Sequence, residues 1–182
     1  MANYTTFADL EALSRGIDES AIRKSAAALT PDKNLFLSHS SADRKWLPGV
    51  MSLLSKHGAR VYVDKEDGRL PTTPSPETAR LLRVAVRSCR TFVLFVSKNT
   101  KDSVWIPWEL GLSDGSRGES NVALLPVADT SSDQRWAEQE YLGLYQRIVW
   151  GKLRSSPDDQ WFVHDHRDNT GIPLRDWICR GG

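Results

Sequence analysis

Cysteine is scarce: Cys89 and Cys179 are the only two in 182 residues. Two thiols so far apart in the chain suggest neither a disulfide framework nor a zinc site, and they suit a reducing, cytoplasmic setting. Long apolar runs are missing too. The longest, Thr91 to Val96, is far too short to span a bilayer, and the polar start Met1 to Thr6 does not read as a secretory signal. A formal net charge of +1 provides no long-range field to gather nucleic acid or an anionic membrane. No GxGxxG follows a strand and no Walker A lysine loop occurs, which disfavours a Rossmann dinucleotide site and an NTPase. No repeat or low-complexity tract is visible. The expectation is a soluble cytoplasmic protein with no metal, no nucleic acid and no membrane among its partners.

What the chain does contain is a core's worth of apolar residues, 40% hydrophobic against 26% charged, enough for one domain and a short extension. Residues 1–32 read as a helical N-terminal extension. Phe7, Leu10, Leu13 and Ile17 recur at helical spacing, then Ile22, Ala26 and Leu29, until Pro31 stops the pattern. Such an extension either packs on the domain, 33–182, or serves self-association.

From Asn34 strands and helices alternate. Strands are expected at Asn34 to His39, Arg60 to Val63, Thr91 to Val96, Asn121 to Val127 and Arg147 to Trp150. Helices are expected at Ala42 to His57, Glu77 to Cys89, from Ser103 to Leu112, Arg135 to Tyr145 and Leu174 to Ile178. Ser40 or Ser41 can cap the first of these, and Gly58 ends it. Trp161, Trp177 and Ile178 are expected to complete the core, and the four histidines to be structural or surface residues. An alternating β/α order implies an α/β fold whose mostly parallel sheet is covered by helices on both faces. Ligands of such sheets lie beyond the carboxyl ends of the strands, where strand order reverses. Three loops are therefore candidates, those after His39, Asp64 and Ser97.

The first loop, Ser38-His39-Ser40-Ser41-Ala42-Asp43, offers hydroxyls and free amides at a helix start, suited to phosphate or ribose, or simply an N-cap. The second begins Val63-Asp64-Lys65-Glu66-Asp67; its charges suit a solvated surface, while its length suits function. The third, Ser103 to Gly111 (SVWIPWELG), must begin its helix near Pro107, which puts Glu109 in the first turns one turn beyond Trp105. The dipole there favours an ionised carboxylate, which beside aromatic rings suits a cationic centre. A helix-start glutamate between core tryptophans is the plainer alternative.

FLSHSSAD (Phe36 to Asp43), VYVDKEDGRL and SVWIPWELG, in this order and spacing, resemble the TIR (Toll/interleukin-1 receptor) domain family from about Asn34 to about Trp150. The form WIPWELG is similar to the prokaryotic, NAD-cleaving branch, including TIR proteins of Thoeris antiphage systems. The resemblance implies a flavodoxin-like fold with five parallel strands, and a catalytic glutamate, here Glu109. It implies substrate contacts from Phe36, Ser38, His39, Ser40, Asp43, Asp64, Ser103 and Trp105, with the loop from Asp64 to Ser75 covering the site. Asp64 and Glu66 are expected to matter less than Glu109, and then through loop order or assembly. Plant relatives carry Cys directly after the motif tryptophan, where this chain has Ile106.

One carboxylate suffices for that chemistry. A glycosidase spends a second carboxyl protonating a poor leaving group, whereas nicotinamide leaves neutral from a pyridinium. The expected activity is NAD cleavage to nicotinamide plus ADP-ribose or a cyclic isomer, with NAD as substrate and no cofactor. The expected partners are further copies of the chain through TIR–TIR contacts and a separate downstream effector. The alternatives are a non-catalytic scaffold acting through homotypic contacts, a secreted virulence effector, and, more distantly, a nucleoside deoxyribosyltransferase.

Overall fold

Period-two alternation sorts the strand side chains onto two faces, and the helices follow them. In this computed structural model, which describes residues 2–68, 75–103, 105–130 and 140–180, Leu35 and Leu37 of β2 (Leu35–Ser38) enter one core and Phe36 the other. Likewise Val93 and Phe95 of β4 (Thr91–Val96) face one way, and Phe92, Leu94 and Val96 the other. The first core is covered by α1 (Phe7–Ser14), α2 (Glu19–Ala27), α3 (Leu47–Lys56) and α6 (Leu174–Cys179). The second is covered by α4 (Pro76–Ser88) and α5 (Ile106–Arg117). All six residues of β4 are buried, as a strand covered on both faces requires.

Five parallel strands run in the order β3 (Val61–Tyr62), β2, β4, β5 (Val122–Ala128), β6 (Gln146–Lys152). Strand order reverses between β2 and β4, so their carboxyl ends mark the switch point. The sheet is larger than the five strands expected. It has eight, because β7 (Asp159–Asp165) and β8 (Thr170–Pro173) add an antiparallel hairpin to β6, and β1 (Thr5–Thr6) pairs with β5. The β1 pairing lies past the point where β5 and β6 pair, at Val127 and Ala128, and Asn3 exchanges 2.8 and 2.9 Å hydrogen bonds with Trp150 of β6. Residues 3–6 thus bridge the diverging ends of two parallel strands.

Two helices begin differently from expectation. Ser41–Trp46 is a 3-10 turn and α3 starts only at Leu47, because Pro48 has no N–H to bond back along a longer helix. Ser40 occupies the cap position of that turn but makes no side-chain cap bond. α5 starts at Ile106, with Pro107 in its first turn and Thr100–Asp102 as a separate 3-10 turn before it. Of the helix expected at Arg135 to Tyr145, residues 135–139 lie outside the described residues, and Glu140–Leu144 is 3-10.

α1 enters through a capping box, Thr6 Oγ1 accepting from Asp9 N while Asp9 accepts from Thr6 N. It then buries Leu10 so close to α3 that a Cβ on Gly49 would fall on the Leu10 carbonyl. Backbone cannot yield as a side chain can. Gly49→Ala is therefore expected to lower stability by about 1–3 kcal/mol despite the better helix propensity of alanine. Urea unfolding measures it, and a variant at least as stable as wild type contradicts the close crossing.

Candidate active site

Ser38 is the last residue of β2 and lies two positions after Phe36, so its side chain points to the face covered by α5. On α5, Ile106, Glu109 and Leu110 turn inward. The two elements meet where Ser38 Oγ donates to Glu109 Oε2 at 2.5 Å. Glu109 is 1% exposed, and its Oε1 is buried with no hydrogen-bond partner among the described residues. The carboxyl group thus sits at the carboxyl end of the central strands with one acceptor unused.

After β3 the chain turns tightly through Asp64–Glu66. Asp64 is 5% exposed and its Oδ1 also lacks a partner among the described residues. Burial drives both carboxyl groups upward from their ordinary values; for Glu109 the charge of Asp64 adds to the effect, while the Ser38 bond and Lys65 oppose it. Burial and the negative charge of Asp64 both disfavour ionised Glu109 in the free protein. Lys65 Nζ donates to the His39 carbonyl. His39 itself is buried, and burial together with the nearby Lys65 pushes its imidazole down to about 3, so the ring is neutral, with Nδ1 unpartnered.

Behind these groups Asp43 joins two loops. It accepts from Ser97 Oγ at 2.7 Å and from Asn99 Nδ2 at 2.7 Å, which ties the segment after β2 to the one after β4. Ser97 N in turn donates to Thr100 Oγ1 at 2.9 Å.

The expected residues divide accordingly. Ser38, His39, Asp64 and Glu109 gather at the strand ends, with Ser40 buried beside them. Asp43 serves the loop junction. Phe36 does not reach the site; it is wholly buried, stacked on Phe92 at 5.4 Å and packed against Tyr62, one step below Ser38. Ser103 is half-buried and closes the turn before α5 through its N–H to the Thr100 carbonyl at 3.2 Å. Trp105 is the residue before α5; its carbonyl accepts from Glu109 N at 2.9 Å, while its ring lies edge-on to Trp108 at 5.5 Å against the second core. Of the loop Asp64 to Ser75, residues 69–74 lie outside the described residues.

Reading the sequence alone missed Lys65, Ser97, Asn99 and Ser113, whose buried hydroxyl lies one turn after Glu109 without a partner among the described residues. Only Lys65 left a trace, as part of a charge cluster read mainly as surface. Among the described residues no cluster of three potential metal ligands forms.

A buried acid at the switch point of the sheet, held by the serine that ends β2, defines an α/β protein with a candidate ligand site centred on a carboxylate. The TIR domain family matches residues 35–164, a span that includes every residue of this site, and the chain belongs to that family. It is 37% identical over 153 residues to a Bacillus cereus (strain MSX-D12) protein named probable 3′ cyclic ADP-D-ribose synthase ThsB′, covering 81% of this chain and 78% of that protein. The prokaryotic TIR resemblance and the α/β class expected from sequence both hold.

Burial of an acid whose pKa is raised has a sign. Folding favours the protonated form, so the full contribution is present below the ordinary glutamate value of 4.5 and is lost as pH rises through the folded value. Glu109→Gln removes that loss. Its melting temperature is expected to exceed that of wild type by a margin that grows between about pH 5 and about pH 9. Thermal scans at the two values check this, and a margin independent of pH contradicts a buried, proton-holding Glu109.

Proposed function

We propose that this TIR protein cleaves the bond between nicotinamide and ribose in NAD, with Glu109 as the catalytic residue and a cyclic ADP-ribose isomer as product, as a signal in antiphage defence. One observation carries the assignment of Glu109: a buried carboxyl at the switch point keeps an acceptor oxygen that no described residue fills. A ribose hydroxyl is the natural donor for it. The name of the Bacillus cereus relative supports the reaction class.

The bond breaks with its electron pair passing to the ring nitrogen, and nicotinamide departs neutral. Positive charge then develops at the anomeric carbon, where an ionised Glu109 stabilises it. The substrate's own pyridinium cation favours that ionisation on binding, against burial and Asp64. A hydroxyl oxygen of the same molecule closes on the anomeric carbon and loses a proton, which Glu109 can accept. Burial of Ser38 and Glu109 keeps water from competing, which favours internal capture over hydrolysis to linear ADP-ribose. No cofactor enters these steps. Because Glu109 is covered in this structure, the substrate reaches it only when residues that cover it move.

The wider setting follows the family. The unit 33–182 acts as the TIR domain and 1–32 as its extension, further copies of the chain assemble through TIR–TIR contacts, and a separate effector responds to the product in the cytoplasm. No helix among the described residues is long and apolar enough to cross a membrane.

Glu109→Gln is expected to reduce nicotinamide release by about 10²–10³-fold or more while the protein remains folded. Chromatography of NAD incubated with concentrated protein measures the loss, and mass spectrometry separates a cyclic product from ADP-ribose, which is heavier by one water. Full activity in the variant removes Glu109 from the chemistry, and an inert wild type favours a scaffold.

A further inference from the structure

Three side chains of the turn after β3 are anchored to different parts of the fold. Lys65 reaches the His39 carbonyl and Asp67 accepts from Tyr62 Oη at 2.9 Å, while the β2–β3 register, continued by two residues, puts Asp64 beside Ser38, the partner of Glu109. Glu66 turns the other way, toward the N-terminal extension. Its Oε1 accepts from Arg23 Nη1 of α2 at 3.0 Å and from Arg44 Nε at 2.8 Å, and its Oε2 accepts from Arg44 Nη2 at 3.0 Å. Arg23 Nη2 also donates to the Arg44 carbonyl at 2.9 Å, closing the cluster.

We propose that Arg23, Glu66 and Arg44 form a positioning clamp for the site, through which α2 holds the Asp64–Lys65 turn against Glu109. The proposal rests on the NAD-cleaving reading for its bearing on catalysis, but its geometry stands apart from it. Exposed ion pairs contribute little. This one differs because the Glu66 side chain is only 7% exposed and is shared by two guanidinium groups, one of them bidentate. A second tie runs parallel to it, Val63 N donating to the Ala26 carbonyl of α2 at 3.0 Å. The turn's own backbone bonds, Glu66 N to Val63 O at 3.3 Å and Asp67 N to Asp64 O at 2.9 Å, are local and do not fix its position against α5. Arg23 lies outside the residues that match the TIR family, 35–164, whereas Glu66 and Arg44 lie within them, so the clamp joins this chain's extension to the domain.

The charged and polar groups facing Glu109 are Ser38 from β2 and Asp64 and Lys65 from the turn. Of these, Asp64 and Lys65 move with the clamp. Arg23 and Arg44 also keep Glu66 ionised, since their hydrogen bonds and charges hold its carboxyl below the ordinary value. Releasing the turn withdraws Asp64 and admits water, changes that let Glu109 ionise more readily and outweigh the loss of Lys65, the smallest of these influences.

The test is a ¹³C-carboxyl NMR titration of the full chain labelled at glutamate, with Glu109→Gln assigning the resonance. In Glu66→Gln, Glu109 is expected to titrate lower than in wild type by about one unit. Arg23→Met shifts it the same way by less, Arg23→Lys recovers part of that shift, and the Arg23→Met/Glu66→Gln double variant shifts no further than Glu66→Gln. The acid limb of kcat/KM for NAD moves in step. An unchanged Glu109 titration in folded Glu66→Gln overturns the clamp, and should that variant not fold, an unchanged titration in Arg23→Met does so. If wild type cleaves no NAD, the titration still decides the clamp, and only the functional reading falls.

Discussion

The hydrogen bond from Ser38 to Glu109 organises the molecule's active end. It joins the last residue of β2 to the first turns of α5, and it forms only if the sheet register and the helix start are both correct. Shifting β2 by one residue would turn Ser38 into the opposite core, and starting α5 one residue later would rotate Glu109 away from the strand end. Pro107 and the fully buried β4 between these elements make both errors costly. The bond is also electrically uncomfortable, because it holds a carboxyl in a dry setting beside a second one, Asp64. That discomfort suits a site for a cationic substrate, since Lys65 offsets only part of it.

Much of this was legible in the chain. The run Thr91 to Val96 could only be a strand covered on both faces, and Pro107 located the helix start that makes Glu109 a first-turn residue. The order of elements gave the switch point, and with it the three loops. What escaped is long-range or lacks period. β7 carries Trp161, Phe162 and Val163 in succession, so no alternation marks it, and β8 contains a glycine and a proline that read as turn. β1 is two residues long and has no pattern to detect. Phe36 was expected at the substrate from the family resemblance alone, and its ring packs in the layer beneath, against Phe92 and Tyr62. The partners of Asp43 lie 54 and 56 residues away, a separation no local pattern can express.

The N-terminal extension bears on the site from two directions. Residues 3–6 bridge the ends of β5 and β6, and α1 crosses α3 at Gly49 against the core on the side of the sheet away from α4 and α5. α2 then meets the turn that carries Asp64. A sheet of parallel strands alone leaves its carboxyl-end loops free to move. Here the chain ahead of the family's matched span takes up that freedom on one side of the site.

That arrangement bears on the choice between a cyclic and a linear product. Both begin with the same loss of nicotinamide and the same charge on the anomeric carbon, and they part only in which oxygen arrives next. Water is the commoner nucleophile, so internal capture needs a pocket that closes around the cleaved substrate and stays closed while the ring forms. A flexible turn after β3 would admit water at that moment. A turn anchored by Tyr62 from within and by Arg23 and Arg44 from without has both the reason to close and the means to stay closed. If Glu109 serves both reactions as proposed, product identity is set less by it than by how firmly the segment after β3 is held.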